Sequence, residues 1–150
     1  MALRISSPVA GEVIDLGEVG DQMFADRIMG DGVALKPSGS DVVAPVAGHL
    51  AKLFPGGHGM AIATPDGVEV LVHVGLDTVQ LEGDGFEVVA TEGTDVEAGD
   101  LLVRVDLDRL AELGVDAVTP VVIISEHEVS NPATGHVDAG QPLFEVENSP

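Results

Sequence analysis

The chain has 150 residues, 45% of them hydrophobic, and its six Lys and Arg against 26 Asp and Glu give a net charge of −20. That balance excludes nucleic acid and anionic membrane as partners, since both require clustered cations to displace counterions. With no Cys, Trp or Tyr, disulfides, Cys-ligated zinc and thiol nucleophiles are excluded too, leaving imidazoles, carboxylates and hydroxyls for chemistry.

The length suits one domain over 1–150, with a core of Val, Leu, Ile and Ala. The opening MALRISSPVAG has no basic flank, apolar core or cleavage site, and no apolar run approaches about 18 residues, so a cytoplasmic protein without membrane insertion is expected. The acidic surplus either docks a basic partner surface or serves only solubility.

Short apolar segments punctuated by Gly and Pro predict strands at 11–16, 32–36, 41–44, 49–53, 60–63, 68–74, 86–90, 101–105, 121–125 and 143–146. This spacing reads as an all-β sandwich or barrel with one or two short helices. The better helix is 107–113, with Asp106 as N-cap, Leu107, Leu110 and Leu113 on one face and Gly114 as the stop. A turn over 24–29, after Asp21, is the second. Pro8-Val9-Ala10-Gly11 recurs 37 positions on at Pro45-Val46-Ala47-Gly48, and the turn at 96–100 recurs 41 positions on at 137–141, which suggests one supersecondary unit used twice.

The chemistry is expected in GVEVLVHVGLDTV at 67–79, which sets His73 in a Val-rich strand. His58 lies fifteen positions upstream, with the turn Thr64-Pro65-Asp66-Gly67 between the two. A two-residue loop makes opposed residue numbers add to 131 and places His58 directly across from His73, with Cβ atoms about 4.5–5.5 Å apart. A three-residue loop with a bulge at Gly67 raises that number to 132 and sends the two histidines to opposite faces. Pro-Asp-Gly suits both turns.

The stretch 67–79 resembles the active-site signature of the glucose-family IIA component of the bacterial sugar phosphotransferase system. Phe24, Ala25, Gly30, Asp31, Gly32, Val33, Ala34, Lys36 and Pro37 resemble that family's FAxxxxGDGxAxxP segment. Segments 44–48, 83–86, 96–100 and 119–123 fall where the family has them, and the likeness runs from about Ile5 to Val146. It implies an antiparallel β-sandwich of duplicated hybrid motifs and a phosphotransferase. His73 would take a phosphoryl group from phosphorylated HPr and pass it to a cysteine on the IIB domain of a glucose- or N-acetylglucosamine-type permease. His58 would stabilise the group in transit, which requires the 131 register or an equivalent bulge.

The resemblance further implies that Asp21 and Asp77 receive an arginine of HPr, and that Met23, Phe24, Ile28, Met29, Phe54 and Met60 supply an apolar docking ring, of which only the exposed members count. No cofactor is required. A zinc ion shared with a partner protein is the one metal role open to His58 and His73, and regulatory targets would read the phosphorylation state. The chain departs from the family at Gly56, where a threonine commonly orients the first histidine, so backbone or water must replace it. It also begins close to its first strand, so membrane contact is expected through the permease alone.

Independently of the resemblance, a neutral imidazole nitrogen attacks phosphorus, and an ordinary pKa near 6.5 keeps histidine mostly neutral at cytoplasmic pH. A second imidazole and the Gly75 N–H are the expected donors to phosphoryl oxygens. His49, His127 and His136 carry no such pattern, and Glu126, His127 and Glu128 point alternately in an extended chain, which opposes a shared metal. A biotinyl or lipoyl carrier would need a lysine at a hairpin tip, which neither Lys36 nor Lys52 supplies, and a related zinc peptidase would need a His-x-His pair. The alternative is a non-catalytic regulatory module whose histidine pair binds a metal or partner.

Overall fold

The structure, a computed structural model, describes residues 2–76 and 78–147. Segments in which alternate residues are apolar form antiparallel strands. In chain order these are β1 (Ala2–Ser6), β2 (Gly11–Asp15), β3 (Asp31–Pro37), β4 (Asp41–Val43), β5 (Gly48–Leu53), β6 (Gly59–Ala63), β7 (Glu69–His73), β8 (Phe86–Val88), β9 (Asp95–Val96), β10 (Leu101–Val105), β11 (Thr119–Ile123), β12 (Val129–Ser130), β13 (Gly135–Val137) and β14 (Pro142–Glu147). Two short helices, α1 (Gln22–Ala25) and α2 (Leu107–Glu112), interrupt them.

An eight-stranded sheet runs in the order β13-β2-β3-β11-β7-β6-β5-β9, and two three-stranded sheets, β1-β14-β12 and β4-β10-β8, complete the sandwich. Strand parity sorts side chains into two clusters. Val33 and Leu35 of β3, Met60 and Ile62 of β6, Val70 and Val72 of β7, and Val121 and Ile123 of β11 join Ile5, Val42, Leu102, Phe144 and Val146 in the main core. The intervening Ala34, Ala61, Leu71 and Val122 face the other way, into a smaller cluster roofed by Leu16, Val19 and Phe24 from the β2–β3 connection. Central strands apolar on both faces need such a cover, and burying a ring like Phe24 stabilises by about 1.5–3 kcal/mol.

The echoing segments are equivalent in space. The Ser6 N–H donates to the Pro45 carbonyl at 2.8 Å and the Val43 N–H to the Pro8 carbonyl at 2.7 Å, so an offset of 37 maps each bond onto the other with the two copies exchanged. Likewise the pair Ser7 N–H to Gln141 carbonyl (2.7 Å) and Gly140 N–H to Ser7 carbonyl (2.8 Å) repeats as Ala44 to Asp100 (2.8 Å) and Gly99 to Ala44 (2.9 Å). The sequence echo is therefore a pseudo-twofold hydrogen-bond arrangement at the centre of the molecule.

All ten expected strands stand within two residues of where they were placed, and one of them, 121–125, is displaced as a whole by two residues toward the N-terminus. Thr119 and Pro120 join the ladder opposite Leu35 and Ala34, while the Ser125 hydroxyl leaves it to accept from the Glu69 N–H. α2 begins as expected, with the Asp106 carboxylate accepting from the Arg109 N–H at 3.0 Å.

The β6–β7 register is 132: Gly59 pairs with His73 and Met60 with Val72. Gly67 has φ +88°, and its N–H donates to the Thr64 carbonyl while the Thr64 N–H donates to the Val68 carbonyl, which is the three-residue loop. The 131 register that the family resemblance favoured is thus replaced by its rival, with the other provision, an equivalent irregularity, met elsewhere. His58 precedes β6, and Gly56 (φ +92°) and Gly57 (φ +91°) turn the chain just before it, so strand parity does not govern its side chain.

Candidate functional site

His73 ends β7 on the same side as Leu71, the face roofed by Phe24. Its ring stands 5.3 Å from that of His58, centroid to centroid, at 73°. The two imidazoles therefore meet despite the register: the His58 carbonyl still accepts from the Val74 N–H at 2.7 Å, but the residue lies just ahead of β6 on the turn made by Gly56 and Gly57, where its side chain departs from strand parity. Phe24 lies 5.6 Å from His73, and Phe54 stands 5.4 Å from His58 and 6.4 Å from His73. The two phenylalanines come from pseudo-equivalent places, the β2–β3 and β5–β6 connections, and form apolar walls beside the imidazoles.

His58 is 5% exposed and His73 is half-buried. The His73 Nδ1 lies 2.7 Å from the Gly75 carbonyl. A carbonyl only accepts, so Nδ1 carries the proton, and in the neutral ring Nε2 keeps the lone pair. That is the arrangement of a nucleophile held in one tautomer. The expected Gly75 N–H donor is not available, because it donates to the Val118 carbonyl at 3.0 Å; Gly75 serves through its carbonyl instead. Thr78, fully buried, donates its hydroxyl to the Val74 carbonyl at 2.7 Å and so braces the segment carrying that carbonyl.

Burial holds the His58 imidazole below its ordinary pKa, the neighbouring His73 lowers it further, and the Pro55 backbone, hydrogen-bonded to the ring, opposes both. The backbone thus takes the place that the missing threonine left at Gly56. A threonine would not fit that path, since a Cβ on Gly56 would meet the Gly83 nitrogen at 2.9 Å.

The carboxylates and docking residues divide. Asp21 is the N-cap of α1, its carboxylate accepting from the Met23 N–H at 2.9 Å, and it is half-buried. Asp77 lies outside the described residues. Met23, Ile28 and Met29 are exposed, at 45%, 63% and 36%. Phe24 and Phe54 touch the imidazoles, whereas Met60 is fully buried in the main core. Met60 therefore leaves the expected ring: in register 132 its parity sends it inward with Ile62. His49 pairs with Asp95, His136 with Asp138, and His127 with the Ser125 hydroxyl. Among the described residues no three His, Asp or Glu side chains are grouped to hold a metal ion, and no helix is long and apolar enough to cross a membrane.

Sequence reasoning missed Thr78, the identity of Pro55 as the backbone group beside His58, and the carbonyl role of Gly75. A hydroxyl or carbonyl that acts through backbone geometry leaves no pattern in composition or spacing.

Residues 3–129 match the family described as the phosphoenolpyruvate-dependent sugar phosphotransferase system, EIIA 1. Over 146 residues the chain is 39% identical to the glucoside-specific EIICBA component of the phosphotransferase system of Staphylococcus carnosus (strain TM300), covering 96% of this chain and 21% of that protein. The chain thus spans about a fifth of that relative's length. The solved glucose permease IIA from Mycoplasma capricolum superposes with a TM-score of 0.93 at 38% identity, covering 97% of this chain and 96% of that one.

Proposed function

Because the chain belongs to the EIIA 1 family of the phosphoenolpyruvate-dependent sugar phosphotransferase system, a phosphocarrier, we propose that its 150 residues act as one EIIA domain in which His73 Nε2 receives the phosphoryl group. The donor is phosphorylated HPr, and the acceptor is the cysteine of a IIB domain on a glucose- or glucoside-type permease. The observation that carries the reading is the His73 Nδ1 bond to the Gly75 carbonyl beside the His58 ring. Nε2 attacks phosphorus in line, the N–P bond to the donor imidazole breaks, and the donor nitrogen takes back the electron pair. His73 keeps its Nδ1 proton throughout, so uptake needs no base.

His58 then stands beside the phosphoryl oxygens. Their negative charge opposes the burial that keeps the ring neutral, so a protonated or N–H-donating His58 is favoured as charge moves onto the group. Phe24 and Phe54 keep water from one side of a labile N–P bond, and the exposed Met23, Ile28 and Met29 offer apolar contact to HPr and to the IIB domain. Asp21 and Asp77 add negative charge for an HPr arginine. The relay works in the cytoplasm, without a cofactor. A zinc ion would find two ligands in His58 and His73 and need a partner carboxylate to complete it, two being short of the usual three or four. Regulatory targets would dock on the same face.

Incubating the chain with HPr, phosphoenolpyruvate and the enzyme that phosphorylates the HPr histidine from it, then weighing the protein by mass spectrometry, tests this. The parent should gain one phosphate, and His73→Ala should gain none. His58→Gln should take phosphate but pass it on at least about a hundredfold more slowly, the scale of losing a positioned acid or donor. A parent that stays unphosphorylated points to the regulatory module instead.

A further inference from the structure

β6 opens at Gly59, directly across the antiparallel ladder from His73. A Cβ built on Gly59 would lie 2.6 Å from Phe54 Cδ2, 3.0 Å from Cε2 and 3.3 Å from Cγ. The phenyl ring therefore occupies the volume in which a side chain at position 59 would begin. The backbone fixes where that ring descends from: the Phe54 N–H donates to the Gly59 carbonyl at 2.8 Å and the Gly57 N–H to the Phe54 carbonyl at 2.8 Å. From this seat the ring stands 5.4 Å from His58 and 6.4 Å from His73.

The need for glycine at 59 is not conformational. Gly59 lies in regular strand and has no positive φ, unlike Gly56 and Gly57. Nor does a neighbouring backbone crowd it, since the three atoms nearest to an added Cβ all belong to the Phe54 ring. What a methyl group there would displace is one edge of the Phe54 ring, a half-buried side chain that can rotate about its own bonds. The fold can absorb that change; the arrangement of rings around the imidazoles cannot.

We propose that Gly59 is a positioning residue of the phosphoryl site: its bare Cα seats Phe54 against both imidazoles, and the seated ring sets the spacing from which His58 assists transfer at His73. The proposal rests on the relay reading above. It predicts an unusual split between stability and transfer. Gly-to-Ala in a strand restricts the unfolded chain and favours folding where the backbone is compatible, while displacing a group by about 1 Å at a transfer site costs up to about a hundredfold in rate.

The test compares the full chain with Gly59→Ala, Phe54→Ala and the double variant. Thermal unfolding, the proton shifts of the His58 and His73 rings, and phosphate passage from HPr through to a IIB domain are read in each. Gly59→Ala should melt no lower than the parent, move the ring-proton shifts of both histidines and slow passage about tenfold. In the Phe54→Ala background the same change should alter shifts and passage by less than about twofold, because the ring it displaces is gone. The proposal fails if Gly59→Ala leaves the shifts and passage as in the parent, or if its deficit multiplies with that of Phe54→Ala. Should the parent take no phosphate, the relay reading falls, while the shifts in the four proteins still decide whether Gly59 seats Phe54.

Discussion

At His73 one hydrogen bond decides which nitrogen carries the lone pair. With Nδ1–H held by the Gly75 carbonyl at 2.7 Å, the phosphoryl group should be found on Nε2, and nitrogen-15 spectra of the phosphorylated chain distinguish the two sites; phosphate on Nδ1 would mean that the bond breaks before transfer. His58 gives a prediction of a different kind. Its folded pKa lies below its unfolded value near 6.5, first because the ring is buried and then because His73 is close. Between those two values the unfolded chain holds more protons than the folded one, so the contribution to stability is present above pH 6.5 and is lost as pH falls through that window. The melting temperature should therefore drop on acidification from about pH 7.5 to 5.5, and less so in His58→Gln. Carboxylates titrate mainly below this range, near 4, as does Asp84, which Arg109 pulls lower. An equal drop in both proteins would assign the loss to another group.

The elements that hold these residues were legible to different degrees. Strands that are apolar along nearly their whole length, such as β3, β6 and β7, stand out because both of their faces are covered. β1, β9, β12 and β13 do not, being two to five residues long and partly polar, and they exist because the repeat places partners for them. The site was half legible: both imidazoles were named, and their meeting was tied to a register the protein does not use. Periodicity reports strand faces and says nothing of a side chain carried on a glycine turn, which is where His58 sits. Asp21 shows the same ambiguity between scaffold and contact. As the N-cap of α1 it positions the segment that carries Phe24 onto His73, and as a carboxylate it can meet a cation. Asp21→Asn keeps a capping oxygen and removes the charge, whereas Asp21→Ala removes both at about 1 kcal/mol. If charge is what HPr reads, both variants should raise the KM for phosphorylated HPr alike; if the cap matters, only Asp21→Ala should raise it and lower the melting temperature.

Across the whole molecule, the duplicated unit builds a sandwich whose inner core is sealed, and the β2–β3 and β5–β6 connections both run over the outer face to wall in His73. The proposed phosphoryl site therefore sits in a small apolar recess on a body whose net charge is −20. These two features should respond differently to salt. Encounter with a basic partner is governed by long-range attraction, which is screened beyond about 30 Å at 0.01 M salt and beyond about 8 Å at 0.15 M. Transfer within the complex depends on groups about 5 Å apart in a partly dry pocket, where added ions do little. Raising salt over that range should thus slow association with HPr by about tenfold or more, while the single-turnover rate of phosphate transfer at saturating HPr stays within about twofold. Stopped-flow measurement of the two constants separates them. An on-rate indifferent to salt would reduce the acidic surplus to a solubility device, and a transfer rate that fell with it would mean that surface charge, and not the walled pair of imidazoles, sets the geometry of the reacting complex.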